Sequence, residues 1–368
     1  MDFALSEERQ MLTDTLSRFV REKYELPTRQ KAAAMEGGFD PAMWARFAEL
    51  GAVGALLPED AGGFGGAGED IIVVFEALGG GLVVEPFLAT AILGATPLIG
   101  AGKDEMLEQV IGGALHLALA HTEPSSRFEM SRVSCEADED GVITGRKSVV
   151  LNGATADMLI VSARSSGDEA DEAGIGLWLV DPKAEGVTMR AYGTIEGGHA
   201  AEFTFDGVKG EALGDAEDGY KTLERTLGRG VLALCAEALG AMEVCKDLTL
   251  DYLKTRKQFG QPLGKFQALQ HRMVAMVIAI EQARSLTMLA AGMMDAPRKE
   301  RERALSAAKN MVGRVGRLIS EETIQLHGGI AMTWEYAAPH FAKRLTMIDH
   351  LLGDEDFHLA RFLKLDAA

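Results

Sequence analysis

Apolar residues recur at helical spacing from the start of the chain: Leu5, Leu12, Leu16 and Phe19 share one side of a segment opened by Ser6-Glu7-Glu8. A hydroxyl followed by acids suits the free amides of a helix start. Phe39-Asp40-Pro41 predicts a second start, and Met43, Trp44, Phe47 and Leu50 follow at the same period. Residues 69–78 and 86–98 predict two further helices, with Gly79-Gly80-Gly81 as the break between them. The period then changes. Short runs rich in β-formers, at 115–121, 142–151, 158–163, 175–180, 187–191 and 201–205, are separated by Gly, Asp, Asn or Ser clusters. Such runs predict a compact antiparallel barrel or sandwich. Long helical stripes return after residue 217: Ala241, Cys245, Leu248 and Tyr252; then Phe266, Leu269, Met273, Met276 and Ile280; then Leu305, Ala308, Val312, Val315 and Ile319. They predict an antiparallel bundle. The order gives an α+β chain, with an N-terminal α-helical domain over 1–113, a middle β-barrel domain over 114–214 and a C-terminal α-helical bundle over 215–368.

Composition narrows the function. The 368 residues, 47% apolar and 25% charged, are enough for two or three globular units. Thirty-seven basic against 55 acidic residues leave a net charge of −18, which disfavours nucleic acid and anionic membrane surfaces as partners. Cys135, Cys235 and Cys245 are too few and too dispersed for a disulfide framework or a paired-cysteine zinc site. The acidic opening lacks a signal-peptide core, and the apolar stretch 87–102 is short and broken by Gly94, Pro97 and Gly100. A soluble cytoplasmic protein is expected. The acidic run 166–172 reads as a solvated loop.

Candidate chemistry is sparse. Gly63-Phe64-Gly65-Gly66-Ala67-Gly68 fits the dinucleotide pattern GxGxxG, but no parallel βαβ unit accompanies it, so a loop is expected. None of the eight histidines forms an HxxxH or HExxH pair, and His350 and His358 stand eight apart. No GxSxG elbow or P-loop occurs, so hydrolase and kinase readings lack support. Two segments stand out. Arg256-Lys257-Gln258-Phe259-Gly260-Gln261-Pro262 places a guanidinium beside a turn, where it could hold a diphosphate. Gln325-Leu326-His327-Gly328-Gly329 places an amide beside two glycines that let backbone approach a flat ligand. A helix corner and a glycine cap are the plainer readings of each.

Taken in order, these pieces resemble the acyl-CoA dehydrogenase family of flavoproteins. Thr122-Glu123-Pro124 resembles its TEPxxGS motif, and Gly145-Arg146-Lys147-Ser148-Val149-Val150-Leu151-Asn152-Gly153 its GxKxWITNG strand. The segments at 256–260 and 325–329 resemble its RxxFG and QxxGG elements, and Pro58-Glu59-Asp60-Ala61-Gly62-Gly63 extends the likeness into the first domain. The resemblance implies a helical domain, a β-barrel and a four-helix bundle, assembled as a dimer of dimers. It implies FAD as cofactor, an acyl-CoA thioester as substrate, α,β-dehydrogenation with a glutamate base, and an electron-transfer flavoprotein as acceptor. Residues carried over to FAD binding are Arg256, Phe259, Gln267, Gln325, Gly328, Gly329 and Thr122.

The departures are specific. Leu352 stands at the family's base position, and Gly230 at the alternative position on the first bundle helix. Asp354, Glu355 and Glu237 are nearby acids that could replace the base. Phe128, Val149 and Leu151 replace a serine, a tryptophan and a threonine that serve the flavin ring. The closest likeness is to the small subunit of pimeloyl-CoA-type dehydrogenases, which implies an α2β2 heterotetramer with a homologous large subunit that carries the base. A self-sufficient homotetramer with a relocated base and an inactive scaffold are the alternatives. The acyl chain stays open among dicarboxylyl, aromatic and steroid thioesters.

Overall fold

The computed structural model describes residues 5–214 and 218–367. Helices α1 (Glu7–Lys23), α2 (Leu26–Ala33), α3 (Pro41–Glu49), α4 (Gly68–Gly81) and α5 (Asp104–Ile111) precede the strands. Strands β1 (Leu117–Ala120), β2 (Glu136–Ala137), β3 (Val142–Leu151), β4 (Met158–Arg164), β5 (Ile175–Val180), β6 (Val187–Gly193), β7 (His199–Lys209) and β8 (Glu211–Ala212) follow. The remainder is α6 (Gly219–Thr255), a ribbon of β9 (Lys257–Gln258) and β10 (Gln261–Pro262), then α7 (Gln267–Gly292), α8 (Arg298–His327), α9 (Ala338–His350) and α10 (Glu355–Ala367). Two compact units emerge: Met1–Arg29, Ala67–Val83 and Val231–Ala368 form one, and Gln30–Gly66 with Val84–Gly230 form the other.

In the first unit, Ser6 caps α1 by accepting from the Arg9 amide at 3.3 Å, while Glu7 and Glu8 face the positive end of the helix dipole. The triple glycine at 79–81 closes α4 as its last three residues, with Leu82 as the left-handed cap, so the helix expected over 69–78 runs on to Gly81 before it breaks. A Cβ on Gly79 would sit 2.0 Å from the Glu237 carbonyl oxygen, and one on Gly240 would sit 2.0 Å from that of Glu76. The glycines therefore let α4 and α6 cross backbone against backbone, a long-range demand that local spacing does not reveal. Among the described residues α7 is the helix that by length and composition could cross a membrane. Met276, Ile280, Ala283 and Ala290 on it are buried within this unit, whereas Val274, Val277 and Ile278 are exposed.

In the second unit, Asp40 caps α3 through the Ala42 amide at 2.9 Å, with Pro41 in the first turn. Residues 87–98 form a π-helical turn and a 3-10 turn rather than one α-helix. Thr90 Oγ1 there donates to the Leu117 carbonyl and accepts from its amide, at 3.1 and 3.2 Å. The six expected runs all become strands, in one sheet ordered β6-β7-β3-β2-β4-β5-β8 with β1 beside β4. The sheet is mixed rather than antiparallel, because β1 and β2 both pair with β4 in parallel. Strand β3 carries irregularities between Ile143 and Gly145 and between Lys147 and Val150.

Two other expectations gain a cause. The acidic run has exposed side chains, but its backbone is wrapped around buried Arg164. That guanidinium donates to the carbonyls of Ser131, Val133, Ser166, Glu169, Asp171 and Ala173 at 2.8–3.2 Å. In the glycine-rich loop, the amides of Gly63, Phe64, Gly65 and Gly66 donate inward to Pro58, Gly54, Leu57 and Ala55. Arg229 donates to the Gly66 and Leu56 carbonyls at 2.8 Å each. With those amides engaged, the loop cannot cradle a pyrophosphate.

Candidate functional site

The segment after β1 and the centre of β3 meet through a buried ion pair. Lys147 Nζ lies 2.7 Å from Glu123 Oε1 and donates to the His121 carbonyl at 3.1 Å and Ser162 Oγ at 3.0 Å. The same carboxylate accepts from the amides of Ser134 and Cys135 and from the Ser134 hydroxyl. Burial pushes the Glu123 carboxyl up, but the Lys147 charge and these hydrogen bonds outweigh it and hold it below the usual range. Burial and the Lys147 charge lower His121 to about 3, so its imidazole is neutral beside Ser162. The Ser148 amide donates to the Thr122 carbonyl at 2.8 Å, which fastens Thr122 to β3. Glu123 is thus a structural carboxylate. Its partner was missed in the sequence, because Glu123 lies beyond the end of β1 and Lys147 stands 24 residues further on, within β3.

Backbone strain gathers beside this pair. Arg127, Val149 and Asn152 have φ of 48°, 52° and 52°, a left-handed region that costs a non-glycine residue roughly 1–2 kcal/mol. Val149, β-branched and 45% exposed, sits on the second irregularity of β3. Phe128 and Leu151 are half-buried, so none of the three replacement side chains offers a hydroxyl or an indole.

At the end of the bundle the two sequence segments come together. Tyr252, one turn before Arg256, lies 4.7 Å from the ring of His327, which lies 5.2 Å from that of Tyr336. His327 is buried, and its Nδ1 donates to the Thr323 carbonyl at 2.8 Å. This stack fixes the terminus of α6 against that of α8; neither His327 nor Tyr336 was foreseen. Phe259 and Gly260, with φ of 53° and 80°, form the tip of the β9–β10 ribbon, a type I′ turn. The turn drives Phe259 into solvent at 88% exposure, 6.1 Å from the ring of Phe266. Arg256 is exposed, and its guanidinium has no partner among the described residues. Gln267 and Gln325 are also exposed. A Cβ on Gly328 or Gly329 would meet nothing within 4 Å, and Gly329 has no left-handed φ. Neither conformation nor packing in the chain explains glycine at 329, whereas close approach of a ligand does. The uncompensated guanidinium, free amides and open backbone suit the polyanionic tail of a dinucleotide. Thr122 belongs to the other unit.

The acids near the base position all have structural work. Glu237 forms a bidentate pair with Arg344 at 2.6 and 2.8 Å. Asp354 accepts from the Phe357 amide at 2.8 Å and so caps α10. Glu355 lies 2.9 Å from Arg317. Leu352 is half-buried with φ of 54°, and Gly230 is buried within α6.

Models of the N-terminal, middle and C-terminal domains of acyl-CoA dehydrogenases match residues 6–116, 118–208 and 217–364. Acyl-CoA dehydrogenase IpdE2 of Mycolicibacterium smegmatis is 30% identical over 360 residues, covering 97% of this chain and 98% of its own. Butyryl-CoA dehydrogenase from Megasphaera elsdenii has a similar structure, with a TM-score of 0.91 at 26% identity over 100% of both chains. The Tcur3481-Tcur3483 steroid ACAD gives a TM-score of 0.89 at 29% identity over 98% of both. The chain belongs to the acyl-CoA dehydrogenase family, FAD-dependent oxidoreductases that act on CH–CH bonds.

Proposed function

We propose that this chain is the subunit without a base in a heteromeric acyl-CoA dehydrogenase, gripping the nucleotide tail of an FAD whose ring is housed by a homologous partner. The observation that carries the reading is at position 352: an aliphatic side chain stands at the base position, and the acids at 237, 354 and 355 serve an ion pair, a helix cap and a second ion pair. The two-component designation of the similar Tcur3481-Tcur3483 steroid ACAD supports a paired assembly. We further propose domain boundaries near residues 113 and 214, and a cytoplasmic location.

In this assignment Arg256 supplies the charge that holds a diphosphate, Gln267 and Gln325 supply amide hydrogen bonds, and Gly328 and Gly329 admit close backbone approach. Phe259 offers an aromatic face from its turn. Thr122 presents backbone held rigid from β3. Bound FAD would supply the hydride acceptor. Leu352 is aliphatic and transfers no proton, so removal of the α-proton falls to a carboxylate of the partner subunit. Electrons would leave through an electron-transfer flavoprotein.

Purification of the chain alone and with its co-expressed partner tests the proposal. The chain alone should hold little flavin and reduce no dye, and the complex should do both. Full flavin occupancy and acyl-CoA-dependent dye reduction by the chain alone would overturn it, and a colourless, inactive complex would favour an inactive scaffold.

A further inference from the structure

Between α9 and α10 the backbone at position 352 is held in an unfavourable shape by two buried side chains from different helices. Leu352 has φ of 54° and Gly353 φ of 106°. A leucine gains nothing intrinsic from the left-handed region, so the surroundings must impose it. Lys309, on α8 and wholly buried, donates from Nζ to the carbonyls of Gly353 and Asp349 at 2.6 and 3.1 Å. His358, on α10 and also buried, lies with Nε2 2.9 Å from the Leu352 carbonyl. A carbonyl only accepts, so Nε2 carries the hydrogen, and Nδ1 faces Ser306 Oγ at 3.4 Å. Consecutive carbonyls of the turn are thereby clamped from two sides. Gly353 is required by the same arrangement, because a Cβ there would sit 2.5 Å from His358 Nε2.

The chemistry of the clamp is unusual for a core. Lys309 has no ion pair with a carboxylate among the described residues, and burial lowers its pKa. An aliphatic residue at 309 would avoid that desolvation and stabilise α8 more directly. A buried amine directed at two backbone oxygens makes sense where the turn itself must be kept.

We propose that Lys309 and His358 are positioning residues that fix the direction in which the side chain at position 352 leaves the backbone. The functional value of that direction rests on the reading that position 352 lines the acyl-CoA site. The turn then acts as a fixed apolar wall rather than a mobile loop, with shape retained although no carboxylate stands there.

Amide hydrogen exchange of the full-length chain, without flavin or acyl-CoA, tests the clamp. In Lys309→Met and His358→Phe, exchange at 351–355 should rise about ten-fold or more, with α4 and α7 unchanged. His358→Gln, whose amide can still donate to the Leu352 carbonyl, should stay close to the parent, a rescue that a purely space-filling role does not produce. Unchanged exchange in the turn, or equal acceleration in His358→Gln and His358→Phe, would overturn the proposal; the histidine pair decides it if Lys309→Met does not fold. Failure of the site reading has a separate sign: an unaltered affinity of the co-purified complex for octanoyl-CoA in Leu352→Ala.

Discussion

Lys147 and Glu123 face each other at 2.7 Å with side chains 0% and 3% exposed, and they join the two most recognisable motifs of the middle segment into one structural unit. A charged pair so deep holds only because every remaining donor and acceptor is met: His121 and Ser162 take the amine, and Ser134 and Cys135 donate to the carboxylate. Removing either partner leaves the other charge uncompensated. Lys147→Met or Glu123→Gln should therefore destabilise the fold by about 3–5 kcal/mol, read as a lower urea midpoint. The double variant should cost less than the sum of the singles, and an additive result would show that the pair is not coupled.

Arg256 has the opposite character, exposed and without a partner among the described residues. Nothing in the fold depends on its guanidinium, so Arg256→Ala should leave thermal unfolding unchanged. If it clamps a diphosphate, the same variant should lower FAD affinity by about 2–4 kcal/mol, measured as flavin retained by the co-purified complex. Arg256→Lys should recover part of this loss, because a lysine keeps the charge and loses the bidentate fork. Equal retention by Arg256→Ala and the parent would remove Arg256 from the site.

The contrast between these residues explains what the sequence made legible. The strands were readable because their patterns are local and bounded by turn residues, and Ser6 and Asp40 marked helix starts for the same reason. The partner of Glu123 lies 24 residues away, and Arg164 gathers carbonyls from both flanks of its strand. Neither relation leaves a local signature. The glycines closing α4 read as a break and nothing more, because their further use, close approach to α6, emerges only in three dimensions. Strain was hidden too: Val149 is a good strand former by type, yet it holds φ of 52°. Of the six non-glycine residues with left-handed φ among the described residues, Arg127, Val149, Asn152 and Phe259 lie in the segments that carry the family resemblance, Leu352 stands at the base position, and Leu82 lies at the end of α4. Residue types suggested chemistry at those places; only the backbone shows that their shape is kept where the side chains have changed.

Glu237, Asp354 and Glu355 can be separated from a relocated base by amide substitution. Each should leave turnover of the complex within about three-fold, whereas loss of a true base costs two to four powers of ten. Glu237→Gln should differ from the others in stability. Its bidentate partner Arg344 is largely buried, and weakening that pair should lower stability by about 3 kcal/mol. A hundred-fold fall in turnover at unchanged stability for any of the three would place the base in this chain and remove the need for a partner's carboxylate.

Acid should act on the fold through two buried histidines. Burial, reinforced by the nearby Lys147 and Lys309 charges, lowers His121 and His358 to about 3, against an ordinary value of 6.5. In the unfolded chain each takes up a proton near its ordinary value; in the folded chain each stays neutral until far lower pH. The unfolded state therefore binds more protons throughout that interval, and stability falls as pH drops from about 6.5 towards 3. Each histidine contributes a slope of at most about 1.4 kcal/mol per pH unit. His358→Gln keeps a donor for the Leu352 carbonyl but has nothing to protonate. Its unfolding free energy, measured by urea titration between pH 7 and pH 4, should fall less steeply than that of the parent by up to that slope. The two curves should run parallel above pH 7, where both histidines are neutral folded or unfolded. Identical slopes below pH 6 would mean that His358 is protonated in the folded chain, and that its hydrogen bond to Leu352 survives charging.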